Sequence, residues 1–473
     1  MKTNVIKTKS IFPNSFRFDP SFHLSEAIIL GRDLDKVPYE KISIKDTNSK
    51  VFLGNIFSRI FVKDKEHGIP YLAASDTVLA DLNTSRYLSN KQAKELNYLM
   101  LKKDWILITC SGTIGNVTYT NSTFENHIAT HDLIRIVPDE GKIHKGYLYA
   151  FLSSKYGYNQ LTQSRFGGVV KHINAEHVNN IFLPLFPNQL QKEIDNMIQE
   201  SAKLREEATT MLAEAKSLLL KWNNLKELTT EDYEYYGPHS APREVSCFNR
   251  NIKNINTLSF HAFNHSSKIR NNILEELYKC KTITLYKALD DKKLWSPSGV
   301  EVTELKEGHG IMLINQSDIF NQIVKGKWVV KKQKYDSNLL QEDEILIAKI
   351  GTLGENESFC RCIYVGEELK GQLISSAFYR MSASKHIPSG YLYAWLSSEY
   401  GFRLIRSSQY GTKQCYPNTA MLYKYPVPII DIEQMLIIDK LVKDSHHKQH
   451  LSNCLERRAI KLVEQEIEKW NKN

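Results

Sequence analysis

The sequence predicts an α+β protein that consists of two tandem copies of one domain, each followed by a long helix. A twelve-residue segment that begins at Gly146 returns almost unchanged at Gly390. Short apolar runs broken by Gly and Pro precede both copies of this segment, and a long stretch without Gly or Pro follows each of them. A repeat that spans half of the chain indicates duplicated domains, because solenoid repeats are only roughly 20–50 residues long.

The repeat extends beyond this segment in both directions. Residues 111–115 (SGTIG) follow an apolar run in the first copy, and residues 350–354 (IGTLG) do so in the second. Downstream, residues 165–168 (RFGG) correspond to residues 409–412 (QYGT). The positions that stay alike are mostly apolar, Gly or Pro, whereas those that differ are mostly polar. We therefore expect one scaffold that carries two different surfaces.

The first copy is predicted to occupy residues 1–187, and a spacer helix to occupy residues 188–228. Trp105–Thr109 and Leu133–Val137 have the apolar, β-branched character of strands. After Pro187 the spacing of the mostly apolar residues alternates between three and four, which is the heptad pattern of a coiled coil. The residues in this pattern are Ile194, Met197, Ser201, Leu204, Ala208, Met211, Ala215, Leu218, Trp222 and Leu225.

The second copy is predicted to follow a linker at residues 229–256, to occupy residues 257–430 and to end in a second spacer helix at 431–473. The apolar pattern of that helix is interrupted at residues 444–450. Two such helices pair as an antiparallel coiled coil if the domains lie at opposite ends of a rod, roughly 55 Å long. The prediction is thus two domains held apart by a helical spacer. A coiled coil between two chains is the alternative.

Composition limits the class of protein. A net charge of +9 and a pI of about 8.9 are compatible with a polyanionic partner. No apolar run is long enough to cross a bilayer, and the residues after Met1 lack the apolar core of a secretion signal. Seven scattered cysteines are typical of a reducing compartment. We therefore expect a cytoplasmic protein with no membrane partner.

Catalytic motifs are not recognisable in the sequence. Neither glycine-rich segment has the Gly-x4-Gly-Lys-Ser/Thr spacing of a P-loop, and a tight turn between strands is the simpler interpretation of both. We find no paired carboxylates, no Ser/His/Asp arrangement and no His-Glu-x-x-His motif. His446, His447 and His450 are spaced as metal ligands could be, but a surface helix face explains them better. The chain is therefore expected to have no catalytic residue, metal or cofactor of its own.

Taken together, these features resemble the specificity (S) subunit of type I restriction-modification systems. The resemblance rests on the order of four duplicated elements and covers essentially the whole chain. These are the strand and glycine turn at 106–115 and 345–354, the Gly-Tyr-Leu-Tyr-Ala helix at 146 and 390, the glycine turn at 166 and 410, and the Pro-then-helix exit at 184–194 and 428–438. The second copy departs from the first at Lys349-Ile350, where the first has Cys110-Ser111.

The resemblance implies a non-catalytic subunit with two target-recognition domains, each reading one half of a bipartite double-stranded DNA site. The helices would set the gap between the halves and dock DNA adenine methyltransferase (M) subunits, and restriction/translocase (R) subunits would join them. S-adenosylmethionine, ATP and Mg²⁺ would belong to those partners. Two other classes stay open: a DNA-recognition subunit of another methylation or phage-defence complex, and a two-headed scaffold that binds only proteins.

Polar side chains on or beside the repeated turns are the candidates for base or phosphate contacts. In the first copy they are Ser111, Thr113, Arg165, Lys171 and His172. In the second copy they are Lys349, Thr352, Arg406, Gln409, Lys413 and Gln414. The alternative for each of them is a surface residue without any such contact.

Overall fold

The structure is a computed structural model that describes residues 26–163, 172–237, 247–255 and 258–471. Its mixture of helices and strands confirms the α+β class. The α-helices are Glu26–Asp35 (α1), Asn90–Glu95 (α2), Lys145–Ser153 (α3), Lys155–Gln163 (α4), Ala175–Asn179 (α5), Asn188–Trp222 (α6), Glu275–Leu277 (α7), Leu285–Ala288 (α8), Ser389–Ser397 (α9), Glu399–Ser407 (α10), Thr419–Leu422 (α11) and Ile432–Glu468 (α12).

The strands are short and fall into two sets, one in each half of the chain. Those of the first half are Lys41–Ser43 (β1), Lys50–Phe52 (β2), Phe61–Val62 (β3), Gly68–Leu72 (β4), Tyr87–Ser89 (β5), Ile106–Thr109 (β6), Val117–Tyr119 (β7), Ile128–Ala129 (β8), Leu133–Val137 (β9) and Phe182–Pro184 (β10). Those of the second half are Thr282–Thr284 (β11), Ile311–Ile314 (β12), Lys327–Val329 (β13), Ile345–Ala348 (β14), Cys362–Tyr364 (β15), Leu373–Ile374 (β16), Phe378–Met381 (β17), Gln409–Tyr410 (β18), Tyr416–Pro417 (β19) and Pro426–Pro428 (β20).

The first half is built on two four-stranded sheets with the orders β2-β9-β6-β7 and β3-β5-β4-β8. Strand β6 lies in the middle of the first sheet and is buried on both faces. Ile106 and Ile108 pack into the core that includes helix α3, whereas Leu107 packs on the opposite face with Leu72 of the second sheet. This double burial explains why the strand is apolar at consecutive positions instead of alternating with polar residues.

The second half repeats this arrangement with fewer strands. Its sheets have the orders β15-β14-β17 and β13-β12-β16, and the parallel pair β12–β16 corresponds to the parallel pair β4–β8. Strand β11 pairs with β20 as β1 pairs with β10, in both cases antiparallel and just before a long helix. The same order of strands and helices therefore occurs twice in the described residues.

Individual contacts repeat as well, and they explain the most similar segment of the two copies. The hydroxyl of Tyr147 donates to the carbonyl of Pro184, and Tyr391 donates to Pro428 in the same way. The amide of Gly146 donates to the carboxylate of Asp195 at 2.7 Å, and the corresponding bond in the second half also measures 2.7 Å. A Cβ on Gly146 would lie 2.7 Å from Asp195, so glycine is required where α3 meets α6.

The long helices α6 and α12 pack against each other in antiparallel orientation. Ser201 contacts Ser452 through their hydroxyls at 2.9 Å, and the hydroxyl of Ser445 donates to the carbonyl of Ala208 at 2.7 Å. Residues 201 and 445 are equivalent in the repeat, as are residues 208 and 452. Replacing each residue by its equivalent therefore turns one contact into the other. The helix pair therefore has an internal pseudo-twofold axis, like an isologous dimer interface within one chain.

Between residues 194 and 218, the seam of helix α6 differs from the predicted one at every second position. Ile194, Ser201, Ala208 and Ala215 are buried as predicted. Ile198, Ala202 and Arg205 between them and Leu219 after them are also buried, whereas the predicted Met197, Leu204, Met211 and Leu218 are only partly buried. The helix also ends at Trp222 and not at residue 228, since Asn224 adopts a left-handed conformation with φ of 50°.

The polar segment 444–450 of helix α12 lies against the second half of the chain. His447 contacts the carboxylate of Glu367 at 2.8 Å, and His450 contacts that of Glu368 at 3.0 Å. The ring of His446 packs against those of Tyr364 and Tyr393. The interruption of the apolar pattern therefore marks the place where the helix contacts a domain surface in addition to its partner helix.

The two halves also contact each other away from the helices, which contradicts the prediction that a spacer holds them apart. The amide of Ala80 donates to the carbonyl of Phe320 at 3.0 Å, and that of Gln322 donates to Val78 at 2.8 Å. Leu79 and Asn321, which are equivalent in the repeat, face each other in this antiparallel bridge. The bridge therefore lies on the same pseudo-twofold axis as the helix pair.

Over the described ranges, no helix combines the length and apolar character that crossing a membrane requires.

Candidate nucleic-acid interface

The predicted contact residues of the first half lie at one end of the sheet β2-β9-β6-β7, here called the first loop end. Strand β6 ends where β9 begins, because Thr109 pairs with Leu133, and β2 ends opposite Arg135. The loops at residues 53–60, 110–116 and 130–132 therefore emerge side by side. Loops at one end of a rigid sheet are typical positions for binding residues.

The second half has a corresponding second loop end on the sheet β15-β14-β17. Ala348 at the end of β14 pairs with Phe378 at the start of β17, and Trp295 pairs with Arg380 beside them. The segments that begin at Ser296 and Lys349 consequently leave the sheet at the same place. Both halves thus present loops that start from equivalent strands.

The structure brings together the predicted residues of the first half that it describes. Ser111 forms an antiparallel bridge with His172, so the glycine turn and the segment after residue 171 lie side by side. Thr113 is exposed at the tip of the turn, and its carbonyl accepts a bond from the hydroxyl of Thr109. The predicted Arg165 and Lys171 lie outside the described residues.

Loop 53–60 of the first loop end was not predicted from the sequence to contact DNA. Arg59 in this loop donates to the hydroxyl of Tyr71 at 2.6 Å and to the hydroxyl of Thr130 at 3.2 Å. Its guanidinium also lies 4.0 Å from Asp132. An arginine held in this way presents fixed donors beside the turn at residues 111–115. A solitary arginine within an apolar run offers no sequence signal of such a position.

In the second half, the side chain of Lys349 contacts a neighbouring segment of the second loop end. Its ammonium donates to the hydroxyl of Ser296 at 2.6 Å and lies 5.1 Å from the centre of the Tyr379 ring. Partial burial lowers the pKa of Lys349 below its usual value. The lysine therefore links two loops, and Thr352 is exposed on the turn that follows it.

A small β-hairpin completes the second loop end. Strands β18 and β19 pair antiparallel, and Gly351 of the glycine turn bridges to Cys415 just before β19. The predicted Lys413 and Gln414 are exposed at the tip of this hairpin, where Gly411 has a φ of +100° that favours glycine. The rings of Tyr410 and Tyr416 stack at its base with centroids 5.8 Å apart. Neither tyrosine was predicted to contribute.

Two predicted contact residues, Arg406 and Gln409, are buried, and this part of the prediction is wrong for the described structure. Each residue is only 2% exposed. The guanidinium of Arg406 donates to the carbonyl of Gly354 at 2.6 Å, and Gln409 lies in β18 below the hairpin tip. Both polar side chains therefore lie inside the domain and cannot reach a ligand at its surface.

Arg406 belongs to a buried ionic cluster that supports the glycine turn from below. Glu355 accepts two bonds from Arg403, at 3.0 and 2.7 Å, and lies 3.7 Å from Arg406. Burial opposes ionisation of this carboxyl, but the two guanidinium groups outweigh burial and hold the pKa of Glu355 below its usual value. The amide of Tyr236 also donates to Glu355, so the cluster ties the linker to the turn.

The two loop ends have the donors that DNA binding needs. Exposed hydroxyl, amide and ammonium groups at their tips can contact base edges and phosphates. The groups beneath them are fixed by hydrogen bonds, which orients the tips before any ligand arrives.

Comparison with known proteins agrees with the resemblance noted in the sequence. Residues 38–206 match the sequence model of the type I restriction modification DNA specificity domain. The solved S subunit of a type I restriction-modification system from M. genitalium is similar, with 13% identity, a TM-score of 0.35 and coverage of 92% of this chain and 96% of that chain. The HsdS subunit from Thermoanaerobacter tengcongensis has 12% identity, a TM-score of 0.26 and coverage of 93% and 95%. None of the curated proteins compared with the chain matches its sequence.

Proposed function

We propose that this chain, whose residues 38–206 match the model of the type I restriction modification DNA specificity domain, is the sequence-specific DNA-recognition subunit of a restriction-modification complex. The observation that carries the proposal is the duplicated loop end. Each half of the chain presents polar tips on equivalent strands, and the two halves are related by a pseudo-twofold axis. In this proposal each half reads one half of a bipartite DNA site.

The pseudo-twofold axis determines how the two half-sites relate to each other. A duplex has its own twofold axes perpendicular to the helix, and proteins with twofold symmetry use them to place equivalent elements on inverted half-sites. The two loop ends would accordingly approach the two half-sites from opposite directions along the strand. The half-sites would differ in sequence, since the side chains at the tips differ between the two halves.

The hairpin at residues 409–417 is the element of the second half best suited to enter a groove. A two-stranded β-ribbon fits the major groove, where each base pair shows a distinct pattern of donors and acceptors. Gln414 would read a base edge there, and Lys413 would contact a phosphate. Ser111, Thr113 and His172 would serve the first half-site, and Arg165 and Lys171 remain proposed contacts on the same grounds of sequence.

The helix pair α6–α12 would set the gap between the half-sites. Its central contacts involve the small residues Ser201 and Ser452, which permit one close register of the two helices. The outer surface of this pair would dock DNA adenine methyltransferase (M) subunits, to which restriction/translocase (R) subunits are added. S-adenosylmethionine, ATP and Mg²⁺ would be bound by those partners, and the catalytic steps would take place there.

The proposal is tested by methylome sequencing of cells that express this chain with its methyltransferase, beside cells that express the methyltransferase alone. We expect a split motif with a fixed gap to be methylated only when this chain is present. The variant Lys413→Ala, expressed in parallel, should lower the methylated fraction of that motif without changing its sequence.

Other outcomes would point to another function. A complex that forms without any new methylated motif, together with DNA binding by the purified chain, would favour a recognition subunit of a different defence complex. If the purified chain has no salt-sensitive affinity for DNA at all, it is a scaffold that binds proteins.

A further inference from the structure

The loop at residues 53–60 of the first loop end is fixed in place by hydrogen bonds and packing. The side chain of Gln92 accepts a bond from the amide of Ile60 at 2.9 Å and donates to the carbonyl of Ser58 at 2.5 Å. The hydroxyl of Tyr98 accepts a bond from the amide of Asn55 at 3.3 Å. This loop is therefore shaped before it meets any partner, although most of its residues are exposed.

Packing on the inner side strengthens this arrangement. A Cβ on Gly54 would lie 2.9 Å from Leu99 and 3.2 Å from the backbone of His131, so the chain passes close to both. The ring of Phe57 meets that of His131 edge to face at 5.8 Å. Phe57 thus points inward, and the residue before it points outward.

That outward residue, Ile56, is 87% exposed, and Ile60 at the other end of the loop is 59% exposed. Single apolar residues on a surface are common. Here, however, a large apolar side chain stands at the tip of a loop that the protein holds rigid. The structure keeps an unfavourably hydrated group in a defined position, which is the property of a preorganised contact.

The surroundings of the loop indicate what occupies this position. Arg59 lies in the same loop, and the exposed Lys91 and Lys94 flank Gln92 on helix α2. The loop also leaves the sheet beside the glycine turn that carries Thr113. An apolar tip between basic side chains is complementary to a DNA groove, whose floor offers thymine methyl groups and stacked bases between two rows of phosphates.

We propose that Ile56 enters a groove of the first half-site and contacts the bases directly, so that the first half reads apolar base surface as well as hydrogen-bonding edges. This inference rests on the proposed function. It assigns Ile56 and its supporting residues Gln92 and Tyr98 to sequence readout. The corresponding loop of the second half, which begins at Ser296, contains Glu301 and Glu304 and lacks this basic character.

The test starts from duplexes that the full-length chain selects from a random pool, followed by titration of the best duplex at several salt concentrations. We expect Ile56→Ala to weaken binding roughly 10- to 30-fold, because the apolar area of the side chain is no longer buried on the bases. The slope of affinity against salt should stay that of the wild type, since no phosphate contact is lost. Ile56→Leu should bind within a few-fold of the wild type.

Ile252→Ala is the matched control, because Ile252 is 81% exposed on the linker and is not part of the first loop end. It should bind and select DNA as the wild type does. Equal affinity and an equal selected sequence for Ile56→Ala would overturn the inference while leaving the proposed function intact. An Ile56→Ala chain that binds DNA normally but no longer assembles with its methyltransferase would also overturn it, and would assign the loop to protein docking. If the wild-type chain selects no duplex, the proposed function fails and the inference fails with it.

Discussion

At the scale of single residues, Glu355 is the charge on which the second loop end most depends. Its side chain is 1% exposed and pairs with Arg403 and Arg406, whose side chains are each 3% exposed. Removing one partner of such a cluster leaves buried charge without compensation, which typically costs about 3–5 kcal/mol. We expect Glu355→Gln to lower the free energy of unfolding by about that amount, measured by urea denaturation followed through tryptophan fluorescence.

Glu399→Gln provides the comparison within the same cluster. Glu399 also bonds to Arg403, at 2.8 Å, but its side chain is 42% exposed. Solvent screens such a pair, and its loss should cost less than about 1 kcal/mol. Similar effects for the two variants would mean that Glu355 is reached by water and that the cluster is not a buried support.

Lys413 is the residue whose effect on DNA binding is simplest to predict. It is exposed at the hairpin tip, and the proposed phosphate contact there would release counterions when DNA binds. We expect Lys413→Ala to weaken binding to all duplexes alike and to lower the slope of log affinity against log salt by about 1. Lys440→Ala, at an exposed position of the long helix α12, should leave the slope unchanged. An unchanged slope in Lys413→Ala would remove the hairpin tip from the interface.

The sequence assigned Lys413, Arg406 and Gln409 to one contact surface, and only Lys413 of the three is exposed. The three residues lie within eight positions of one another, and all are polar. What separates them is Glu355, some fifty residues earlier in the chain, which draws Arg406 into the interior. A pairing between distant charges leaves no local pattern, so polarity alone could not distinguish a supporting residue from a contact residue.

At the scale of elements, helix α12 contains a group that makes stability depend on pH. The Nε2 of His446 is shielded from solvent and has no hydrogen-bond partner among the described residues, and its ring packs between Tyr364 and Tyr393. Burial, with a smaller contribution from the charge of Lys216, lowers the pKa of His446 to about 4. In the unfolded chain the imidazole titrates near 6.5.

The sign of the effect follows from these two values. Between pH 6.5 and 4 the unfolded chain binds a proton that the folded chain does not, so the stability contributed by neutral His446 is present above pH 6.5 and is lost as the pH falls to 4. Between pH 7 and pH 5 we expect the wild type to lose about 2 kcal/mol through this group, and His446→Phe to lose correspondingly less. Thermal unfolding at pH 7 and pH 5 would check this, and parallel pH profiles of the two proteins would contradict it.

The register of the helix pair shows where the heptad pattern was informative and where it was not. The positions 194, 201, 208 and 215 were predicted correctly because they are apolar or small and recur every seven residues. Between Ser201 and Ala208, the prediction placed Leu204 in the seam rather than Arg205, because seam positions of a coiled coil are usually hydrophobic. Arg205 is nevertheless buried, because Glu456 of α12 lies 2.5 Å away and Asn453 accepts a second bond. Only the partner helix could reveal this.

At the scale of the whole molecule, the contact between the two halves was not foreseeable from the sequence. The bridge at residues 78–80 and 320–322 is made by backbone groups, which every residue except proline offers. The repeat itself was visible, and with it the equivalence of Leu79 and Asn321. Whether these two equivalent loops meet depends on how the long helices orient the two halves. No residue type in the loops indicates this orientation.

This bridge gives a prediction for the spacing of the DNA site. Two connections now fix the distance between the loop ends: the helix pair, and the bridge that lies on the same pseudo-twofold axis. Ala80→Pro removes the amide that donates to Phe320 and weakens the second connection. We expect this variant to keep both half-site sequences but to accept gaps one base pair shorter or longer, which the wild type rejects. Ala80→Ser retains the amide and should keep the gap of the wild type.

The measurement is the affinity of each protein for a series of duplexes in which only the gap between the half-sites varies. Linking two binding modules strengthens binding only when the link lets both reach their sites at once, and a stiffer link confines this gain to fewer spacings. A broader optimum for Ala80→Pro alone would show that the bridge contributes to gap selection. An equally narrow optimum for all three proteins would show that the helix pair sets the gap without help, in which case the bridge only stabilises the chain.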